Sequence, residues 1–409
     1  MLINYGHAYY AFDTPEELEL MREKLKASGA DNTGYIGDVR NSMKNSLTLS
    51  AEEVKSIIDS GDQYVVRLKV PSGEGITFND EIRGQITFNT KDLDDKVIWK
   101  SSNSLPTYHF ANVVDDHLME ITHVIRGDEW IPSTPTHVLL YRAFGWELPI
   151  FAHLPSVLGP DGKKLSKRHA KEYGFPIFPL DWDYKNEEGD NVHIFGFREA
   201  GYESDAILNF IALLGWNPGG DVEYMSINEM AEAFSLDRVN KAGAMFDFDK
   251  LKNFNAHYIR SRDTSWVMEK MGITNYTGLS SPQLDMLSKM ATDRAIFASD
   301  LKGSMDYIFV RPSLEDFKIK NVDEFESVMN QFINIPFPSD EWLPDNIKFE
   351  LDSISDNMGT NTGKIMPLLR VALVDGKSGP QLQDVMYILG SKETNIRVKS
   401  MLDKLKELA

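Results

Sequence analysis

Gly159-Pro-Asp-Gly-Lys-Lys-Leu-Ser-Lys-Arg-His-Ala-Lys171 follows a run, His153–Leu158, whose apolar pattern predicts a buried strand. Pro160 and Gly162 interrupt the backbone, and cations then cluster within nine residues: Lys163, Lys164, Lys167, Arg168 and Lys171. The formal net charge of the chain is −19, so this local positive charge is unusual. A solvated surface loop is one interpretation. The other is a phosphate clamp, because lysines on a mobile loop can neutralise charge that moves during phosphoryl chemistry.

The residues before this basic loop predict a strand–helix–strand unit. A predicted strand, Ile121–Ile125, is followed by a helix that ends near Gly145 and then by the strand His153–Leu158. Such a unit indicates a parallel sheet, and ligands of these sheets bind beyond the carboxyl ends of the strands. Arg126–Trp130 and Gly159–Lys171 both follow such ends, so we expect them to face one crevice.

Two polar groups are candidates for that crevice. The guanidinium of Arg126 could bind a carboxylate through two hydrogen bonds, or it could form a structural ion pair with Asp128. Tyr108, His109 and Asn112 lie where a predicted strand gives way to a helix. They could form a small polar pocket for an amino acid or a nucleotide, or they could be packing residues with polar tips.

The flanking regions differ in pattern. Residues 1–105 predict an α+β module in which Thr14–Glu17 and Ser50 begin helices. Tyr35–Arg40 reads as a loop, and residues 174–200 read as an inserted loop. The predicted strands of the module are Gln63–Val70, Glu74–Phe78, Glu81–Phe88 and Lys96–Lys100. Beyond residue 220 the pattern is helical almost throughout.

Composition narrows the class of protein. With 409 residues, the chain is long enough for two to four domains. It has no cysteine, which excludes disulfides, thiolate metal sites and cysteine nucleophiles, and its histidines show no metal-binding spacing. An excess of acidic residues, 62 against 43 basic ones, argues against nonspecific coating of nucleic acid. No stretch is apolar enough for a membrane span and no secretory signal is present, so we expect a cytoplasmic protein.

Several motifs together resemble a known family. Lys164-Leu-Ser-Lys-Arg168 resembles the Lys-Met-Ser-Lys-Ser loop of class I aminoacyl-tRNA synthetases. Pro106-Thr-Tyr-His-Phe-Ala-Asn-Val-Val-Asp-Asp-His-Leu-Met119 and Thr122-His-Val-Ile-Arg-Gly-Asp-Glu-Trp130 are similar to segments of bacterial glutamyl-tRNA synthetases. The similarity continues through Ser226–Lys250 to the closing residues.

The resemblance implies a fold class of α/β plus all-α. Residues 1–105 would be the connective module that holds the tRNA acceptor end, and residues 106–160 the second half of a Rossmann-type catalytic domain. Residues 161–262 would form the signature loop and a stem-contact region, and residues 263–409 a helical anticodon-binding domain.

The resemblance also implies ligands and residue roles. Glutamate, ATP with Mg²⁺, and tRNA(Glu) would bind to a monomeric protein away from membranes. Glutamate would contact Tyr108, Asn112 and Arg126, and the catalytic lysines would be Lys164 and Lys167. ATP would contact Glu129, Trp130, Val157, Leu158, Lys164, Ser166, Lys167 and Arg168. Candidate tRNA contacts, for which a purely structural role is an open alternative, are Arg370, Lys392 and Arg397.

The sequence departs from the family pattern at two places. The family's Arg-x-Ala-Pro-Ser-Pro-Thr-Gly strand and its His-Ile-Gly-His-like turn do not occur. We therefore expect the first half of the Rossmann domain to be missing, leaving an exposed sheet edge and an incomplete pocket. Ala11, Asp13 and Val39 occupy positions where some relatives place cysteine-type zinc ligands, so we expect no zinc.

Three functions are compatible with these observations. The first is ATP-dependent ligation of glutamate to tRNA(Glu), and the second is a catalytically incomplete tRNA-binding fragment of such an enzyme. The third is a paralogue that glutamylates a queuosine base on tRNA. Those paralogues lack an anticodon-binding region, so the long helical C-terminal part argues against the third.

Overall fold

The computed structural model describes residues 1–408 except residues 31, 166–174, 177, 187, 274–277, 316–319 and 339. Ser166, Lys167 and Arg168 of the predicted site therefore lie outside the described residues. The chain divides into two compact units. One comprises Met1–Ser166 with Ile211–Phe246, and the other comprises Lys167–Phe210 with Asp247–Ala409.

The first unit contains most of the strands. They are β1 (Ala8–Ala11), β2 (Val65–Leu68), β3 (Gly75–Asp80), β4 (Gly84–Asn89), β5 (Val97–Lys100), β6 (Leu105–Pro106), β7 (His123–Gly127), β8 (Ile150–Leu154) and β9 (Val157–Leu158). Its helices up to residue 166 are α1 (Pro15–Ala27), α2 (Gly37–Arg40), α3 (Ala51–Asp59), α4 (Tyr108–Leu118) and α5 (Thr134–Phe144). The predicted strands 63–70 and 96–100 contain β2 and β5, and the predicted strands 74–78 and 81–88 overlap β3 and β4, which end later. The predicted loop Tyr35–Arg40 ends in the short helix α2.

One sheet holds the N-terminal part of this unit, with the antiparallel order β1-β2-β5-β6. Helices α1 and α3 begin as predicted, because Thr14 and Ser50 each form a capping box with the glutamate three residues on. In the segment between these two helices, the Tyr35 hydroxyl donates to Asp13 at 2.9 Å. The amide of Asn45 donates to the Tyr35 hydroxyl at 3.2 Å, so hydrogen bonds join these loops.

A second sheet, in the order β4-β3-β8-β7, carries the predicted strand–helix–strand unit. Strands β7 and β8 are parallel, and the connecting helix α5 buries every residue from Thr134 to Tyr141. The hairpin β3–β4 joins this sheet through a parallel pairing of Asp80 with Phe151. Within the described part of the chain, β7 lies at an edge of the sheet, and the Ile125 side chain on it is 48% exposed.

The predicted strand His153–Leu158 is two strands, because the pairing of β8 stops at Leu154 and β9 begins at Val157. Strand β9 pairs in parallel with β12, Ala244–Met245, which comes from the second segment of the first unit. The chain thus changes partners at Pro155 and Ser156.

The second unit is mostly helical. Residues 174–200, predicted to be a loop, contain the antiparallel hairpin β10 (Trp182–Lys185) and β11 (Asn191–Ile194). The helices from residue 204 onward, in chain order across both units, are α6 (Ser204–Ala212), α7 (Ile227–Ala233), α8 (Phe248–Arg260), α9 (Thr264–Met271), α10 (Ser281–Thr292), α11 (Asp306–Phe309), α12 (Val322–Phe332), α13 (Pro344–Asn357), α14 (Thr362–Val374) and α15 (Leu382–Leu408). Helix α15 bends at Gly390, where φ is +74°. The core of the helical part includes Leu287, Phe325, Phe332, Leu369, Val385 and Met401.

Candidate active site

Arg126 is at the centre of the candidate site, near the carboxyl end of the edge strand β7. The sequence placed it just after a strand ending at Ile125, whereas β7 continues to Gly127 and includes it. The Trp130 ring lies 5.8 Å from the guanidinium carbon, in cation–π range, and 5.0 Å from the ring of Tyr108 on α4. Helix α4, strand β7 and the short 3-10 helix Asp128–Ser133 after β7 therefore bring Tyr108, Arg126 and Trp130 together.

Neutral side chains hold the guanidinium of Arg126. Its Nε donates to Nε2 of His153 at 3.1 Å, one terminal nitrogen donates to the Thr134 hydroxyl at 2.9 Å, and the other lies 3.5 Å from Nδ1 of His137. Burial lowers the pKa of Arg126, and the nearby Tyr108 opposes that shift. An arginine offers five N–H donors, so three are engaged here and two remain for Tyr108 and a ligand.

Arg126 forms no ion pair with a carboxylate within the described ranges. The alternative partner considered from the sequence, Asp128, instead binds Arg83 at 3.0 Å and accepts a hydrogen bond from Ser156 at 2.8 Å. The structure thus excludes the Arg126–Asp128 ion pair. A half-buried guanidinium whose direct hydrogen-bond partners are neutral can bind an anion that arrives from outside.

Two histidines extend this network away from Arg126. Nε2 of His137 lies 3.0 Å from Nδ1 of His109. Burial, together with the positive charge of Arg126, lowers the pKa of His137 to about 3, so this imidazole is neutral at physiological pH. Burial also lowers the pKa of His109. Both imidazoles beside Arg126 therefore favour the neutral form.

A second buried pair supports Arg126 from behind. The imidazole Nδ1 of His153 lies 2.5 Å from a carboxylate oxygen of Asp80, and both side chains are fully buried. Burial alone would raise the pKa of Asp80, but hydrogen bonds from His153 and from backbone amides outweigh it and lower the pKa. Burial lowers the pKa of His153 despite the Asp80 charge.

Asn112 lies one helical turn after Tyr108 on α4. Its side-chain oxygen Oδ1 is buried and has no hydrogen-bond partner among the residues that the structure describes. A buried acceptor without a partner is costly, and such groups in native proteins are commonly satisfied by a ligand or water. Asn112 therefore offers an acceptor for a ligand's ammonium or hydroxyl group.

The start of the basic loop folds back toward β9. The Gly159 amide donates to the Lys163 carbonyl at 2.7 Å, and the Leu165 amide donates to the Val157 carbonyl at 2.8 Å. Gly162, with φ of +74°, makes this tight turn possible. Val157 and Leu158 are half-buried beneath it. The turn thereby positions Lys164 opposite Leu158.

An ion pair joins the basic loop to the end of β7. Nζ of Lys164 lies 2.8 Å from a carboxylate oxygen of Glu129, and the hydrogen bond from Lys164 lowers the pKa of that carboxyl group. The Glu129 side chain folds back over Gly127, where an added Cβ would fall 2.7 Å from the carboxyl carbon Cδ of Glu129. The two clusters expected to share a crevice are thus in contact through these residues.

The three predicted tRNA-contacting cations have different environments. Arg397 is buried and donates to the carbonyls of Tyr307, Leu373 and Ile308 at 2.6, 2.7 and 3.0 Å. This geometry favours the structural alternative for Arg397, because its donors are already used. Arg370 donates to the carbonyls of Lys377 and Pro380 at 3.2 and 3.1 Å. The third cation, at position 392, has an exposed side chain.

The sequence analysis missed four residues of the Arg126 network: Asp80, Thr134, His137 and His153. A usable signal was the histidine inside the predicted strand His153–Leu158, because a histidine in a buried strand requires polar partners. Asp80 comes from a hairpin that the sequence pattern did not connect with this sheet. Within the part of the chain that the structure describes, no group of three or more His, Asp or Glu side chains is arranged to hold a metal ion.

Comparisons with known families agree with this geometry. A model of the catalytic domain of class I tRNA synthetases (E and Q) matches residues 1–253, and an anticodon-binding domain matches residues 255–402. The chain belongs to the class I tRNA synthetases (E and Q). This confirms the resemblance and the fold class, an α/β catalytic part followed by a helical anticodon domain.

Curated members of this synthetase family are similar over almost the whole chain. The glutamate–tRNA ligase of Phocaeicola vulgatus is 42% identical, over 99% of this chain and 81% of the relative. Those of Parabacteroides distasonis and Flavobacterium johnsoniae are 43% and 44% identical, each over 99% of this chain and 80% of the relative. The chain thus spans about four fifths of the length of these ligases.

Two solved synthetase structures have the same fold. A glutamate tRNA ligase from Elizabethkingia meningosepticum, in complex with its amino acid, has a TM-score of 0.81 and 36% identity, covering 99% of this chain and 81% of that one. A glutamate-tRNA synthetase from Elizabethkingia anophelis has a TM-score of 0.77 and 38% identity, covering 98% of this chain and 80% of that one. None of the helices that the structure describes is long and apolar enough to span a bilayer.

Proposed function

We propose that this chain activates glutamate with ATP and transfers it to tRNA(Glu). The observation that carries the proposal is Arg126, a half-buried guanidinium held by neutral acceptors and free of a carboxylate partner among the described residues. The curated relatives, which are 42–44% identical, are glutamate–tRNA ligases. Glutamate matches this pocket: one of its carboxylates can pair with Arg126, its ammonium group can donate to the unsatisfied oxygen of Asn112, and its other carboxylate stays free to react.

Glutamate binds with its side-chain carboxylate on Arg126, because the α-carboxylate must remain free to react. Tyr108 closes the pocket, and the unsatisfied Oδ1 of Asn112 accepts from the substrate ammonium. The neutral imidazole of His137 adds no negative charge, so among the described residues no carboxylate contacts the guanidinium directly before the substrate arrives. Binding then replaces the lost hydration of the guanidinium with a charge-assisted pair.

ATP, as its Mg²⁺ complex, lies beside the basic loop. Half-buried Val157 and Leu158 border the adenine, and Glu129 and Trp130 line the crevice between the two substrates. Lys164 and Lys167 neutralise the triphosphate, and Ser166 and Arg168 belong to the same loop. The Lys164–Glu129 ion pair is exposed, so it can open cheaply when phosphate competes for the lysine.

The reaction runs in two displacements. The α-carboxylate oxygen of glutamate attacks the α-phosphorus of ATP, the bond to the bridging oxygen breaks, and pyrophosphate leaves with the electron pair. A terminal adenosine hydroxyl of tRNA then attacks the mixed anhydride and AMP leaves. Positioning and charge neutralisation supply the catalysis, and no protein nucleophile is needed.

The remaining regions bind tRNA in this proposal. Residues 1–105 hold the acceptor end, residues 106–160 form the second half of the catalytic domain, residues 161–262 contact the stem, and residues 263–409 bind the anticodon. Arg370 and Lys392 are the better candidates for contacts in the last region, because Arg397 is buried. We propose that the protein is cytoplasmic, a reducing compartment that suits a chain without cysteine, and that it is a monomer.

ATP–pyrophosphate exchange in the presence of glutamate and tRNA(Glu) tests this proposal. We expect exchange by the unaltered chain and a loss of at least 100-fold in kcat/KM for glutamate in Arg126→Ala. Binding of tRNA without glutamate-dependent exchange would contradict the proposal and would favour the tRNA-binding fragment.

A further inference from the structure

We propose that Asp80 and His153 are positioning residues that hold Arg126 in its substrate-binding orientation by fixing the tautomer of the His153 imidazole. This inference rests on the proposed glutamate-binding role of Arg126. Neither side chain is exposed to the crevice, since both are fully buried. They form a relay: Asp80 contacts Nδ1 of His153 at 2.5 Å, and Nε2 of His153 contacts Nε of Arg126 at 3.1 Å.

The chemistry of the three groups decides where the imidazole proton lies. Arginine has donors and no acceptor, so Nε2 of His153 must accept the bond from Arg126. In a neutral imidazole the proton then lies on Nδ1, where it is donated to the carboxylate of Asp80. The negative charge of Asp80 therefore selects the only neutral tautomer that can accept from Arg126.

Arg126 donates to both His153 and Thr134. Together these two hydrogen bonds set the orientation of the guanidinium plane. The Thr134 hydroxyl accepts from a terminal nitrogen at 2.9 Å and lies 3.3 Å from Nε2 of His153. Two acceptors on adjacent nitrogens fix the plane of the guanidinium. A planar fork binds a carboxylate well only when its orientation is set in advance.

Asp80 has a structural role as well, because its carboxylate also accepts from backbone amides. One carboxylate oxygen, Oδ1, accepts from the backbone amides of Ile82 and Arg83 at 3.1 and 2.9 Å. The other, Oδ2, faces the His153 ring and also accepts from the backbone amide of His153 at 3.1 Å. The substitution Asp80→Asn retains an oxygen for the turn amides and places an N–H donor against the ring. The backbone amide of residue 153 also loses an acceptor, but it does so equally in the His153→Gln background.

Asp80→Asn should therefore reverse the tautomer of His153. Nδ1 must then accept, and the proton moves to Nε2, where it opposes the N–H of Arg126 across 3.1 Å. We expect the KM for glutamate to rise at least tenfold, because the guanidinium must rotate out of line. The KM for ATP should change less than twofold, since no hydrogen bond joins the relay to residues 159–165, the part of the basic loop that the structure describes.

The control is Asp95→Asn. Asp95 is a second fully buried carboxylate of the first unit, paired with Arg40 at 3.0 Å in the β1-β2-β5-β6 part of the structure. Asp95→Asn also removes one buried negative charge. The change in its thermal midpoint shows how much of the change in Asp80→Asn comes from the loss of a buried charge alone. The KM for glutamate should not change in Asp95→Asn.

A double-mutant cycle tests whether Asp80 acts through His153. The amide of His153→Gln can present an oxygen to Arg126 without a tautomer, so adding Asp80→Asn there should raise the KM for glutamate less than threefold. An undiminished tenfold effect in that background would overturn the relay. If Asp80→Asn gives little folded protein, His153→Leu, which lacks an acceptor, must show a KM for glutamate at least fivefold above that of His153→Gln; equal values would overturn the proposal.

Arg126→Ala separates this inference from the proposed function. If Arg126→Ala leaves the KM for glutamate unchanged, the proposed role of Arg126 is wrong. The relay proposal is then wrong as well, because it depends on that role. If Arg126→Ala abolishes glutamate use while Asp80→Asn leaves its KM unchanged, the proposed function survives and only the relay is wrong.

Discussion

At the scale of single residues, the buried oxygen of Asn112 gives a direct test of substrate contact. Asn112→Ala removes an acceptor that has no partner in the described structure, so thermal stability without substrate should be unchanged or slightly higher. The KM for glutamate should rise roughly tenfold or more, because a hydrogen bond to a charged group contributes about 1.5–3 kcal/mol. Thermal melts and exchange kinetics measure the two effects, and a lower stability with an unchanged KM would contradict the assignment.

His137 predicts a pH dependence of stability at the same scale. Its pKa is lowered to about 3 in the folded chain, whereas an unfolded histidine titrates near its ordinary value of 6.5. The unfolded state therefore binds an extra proton between these values, and stability falls as pH drops from about 6.5 toward 3. Chemical denaturation at pH 7.5 and 5.0 should show a smaller loss in His137→Gln than in the unaltered chain. An equal loss in both would show that His137 is not the neutral buried group described here.

At the scale of elements, Gly127 is the last residue of β7 and lies beneath the Glu129 side chain that contacts the basic loop. Its φ of −65° suits any residue, so Gly127→Ala should change the free energy of unfolding by less than about 0.5 kcal/mol. The new methyl group would displace the Glu129 carboxylate from over the glycine and weaken its contact with Lys164. We expect a severalfold change in the KM for ATP, measured by exchange kinetics.

Gly215→Ala is the matched control for that prediction. An added Cβ at Gly215 meets no described atom within 4 Å, so neither stability nor the KM for ATP should change by a comparable amount. A change in the KM for ATP of the same size in both variants would show that the effect does not pass through Glu129.

The same scale shows what the sequence could and could not predict. Helices α1 and α3 were predictable because their capping boxes are local, and so was the β7–α5–β8 unit. The pairing of Asp80 in β3 with Phe151 in β8 was not, because it joins residues 71 positions apart that share no pattern. That pairing delivers Asp80 to His153, so the site's supporting residues were missed while Tyr108, Asn112 and Arg126 were named.

The hairpin at Trp182–Ile194 and the break at Pro155 illustrate two further limits. Proline, glycine and acidic residues mark loops, and they masked the short strands β10 and β11. The apolar run through His153–Leu158 looks continuous in sequence, yet the change of strand partner after Leu154 divides it. Pro155 is a local sign of such a break, because proline cannot donate to a strand ladder, but the new partner β12 lies far along the chain and has no local signal.

At the scale of the whole molecule, Arg397 distinguishes structural cations from binding cations. Its guanidinium joins its own helix α15 to α11, through the carbonyls of Tyr307 and Ile308, and to α14, through that of Leu373. It also pairs with Glu393 at 3.0 Å. Arg397→Met should lower the free energy of unfolding by about 3 kcal/mol, because buried carbonyls and a carboxylate lose their partner. Chemical denaturation measures this loss.

Lys392→Met is the control, since that side chain is exposed. It should change stability by less than about 0.5 kcal/mol, and if it weakens tRNA(Glu) binding at unchanged stability it is the better candidate for a contact. Loss of tRNA affinity in Arg397→Met at full stability would contradict the structural role of Arg397.

The central claim is that the Arg126 pocket selects glutamate for attachment to tRNA. The most direct measurement is ATP-dependent aminoacylation of tRNA(Glu) by this chain with labelled glutamate or glutamine. We expect glutamate to be attached in preference to glutamine, because Arg126 needs an anionic partner, and we expect Arg126→Ala to lose charging at least 100-fold. Equal use of both amino acids, or charging that survives Arg126→Ala, would contradict this account.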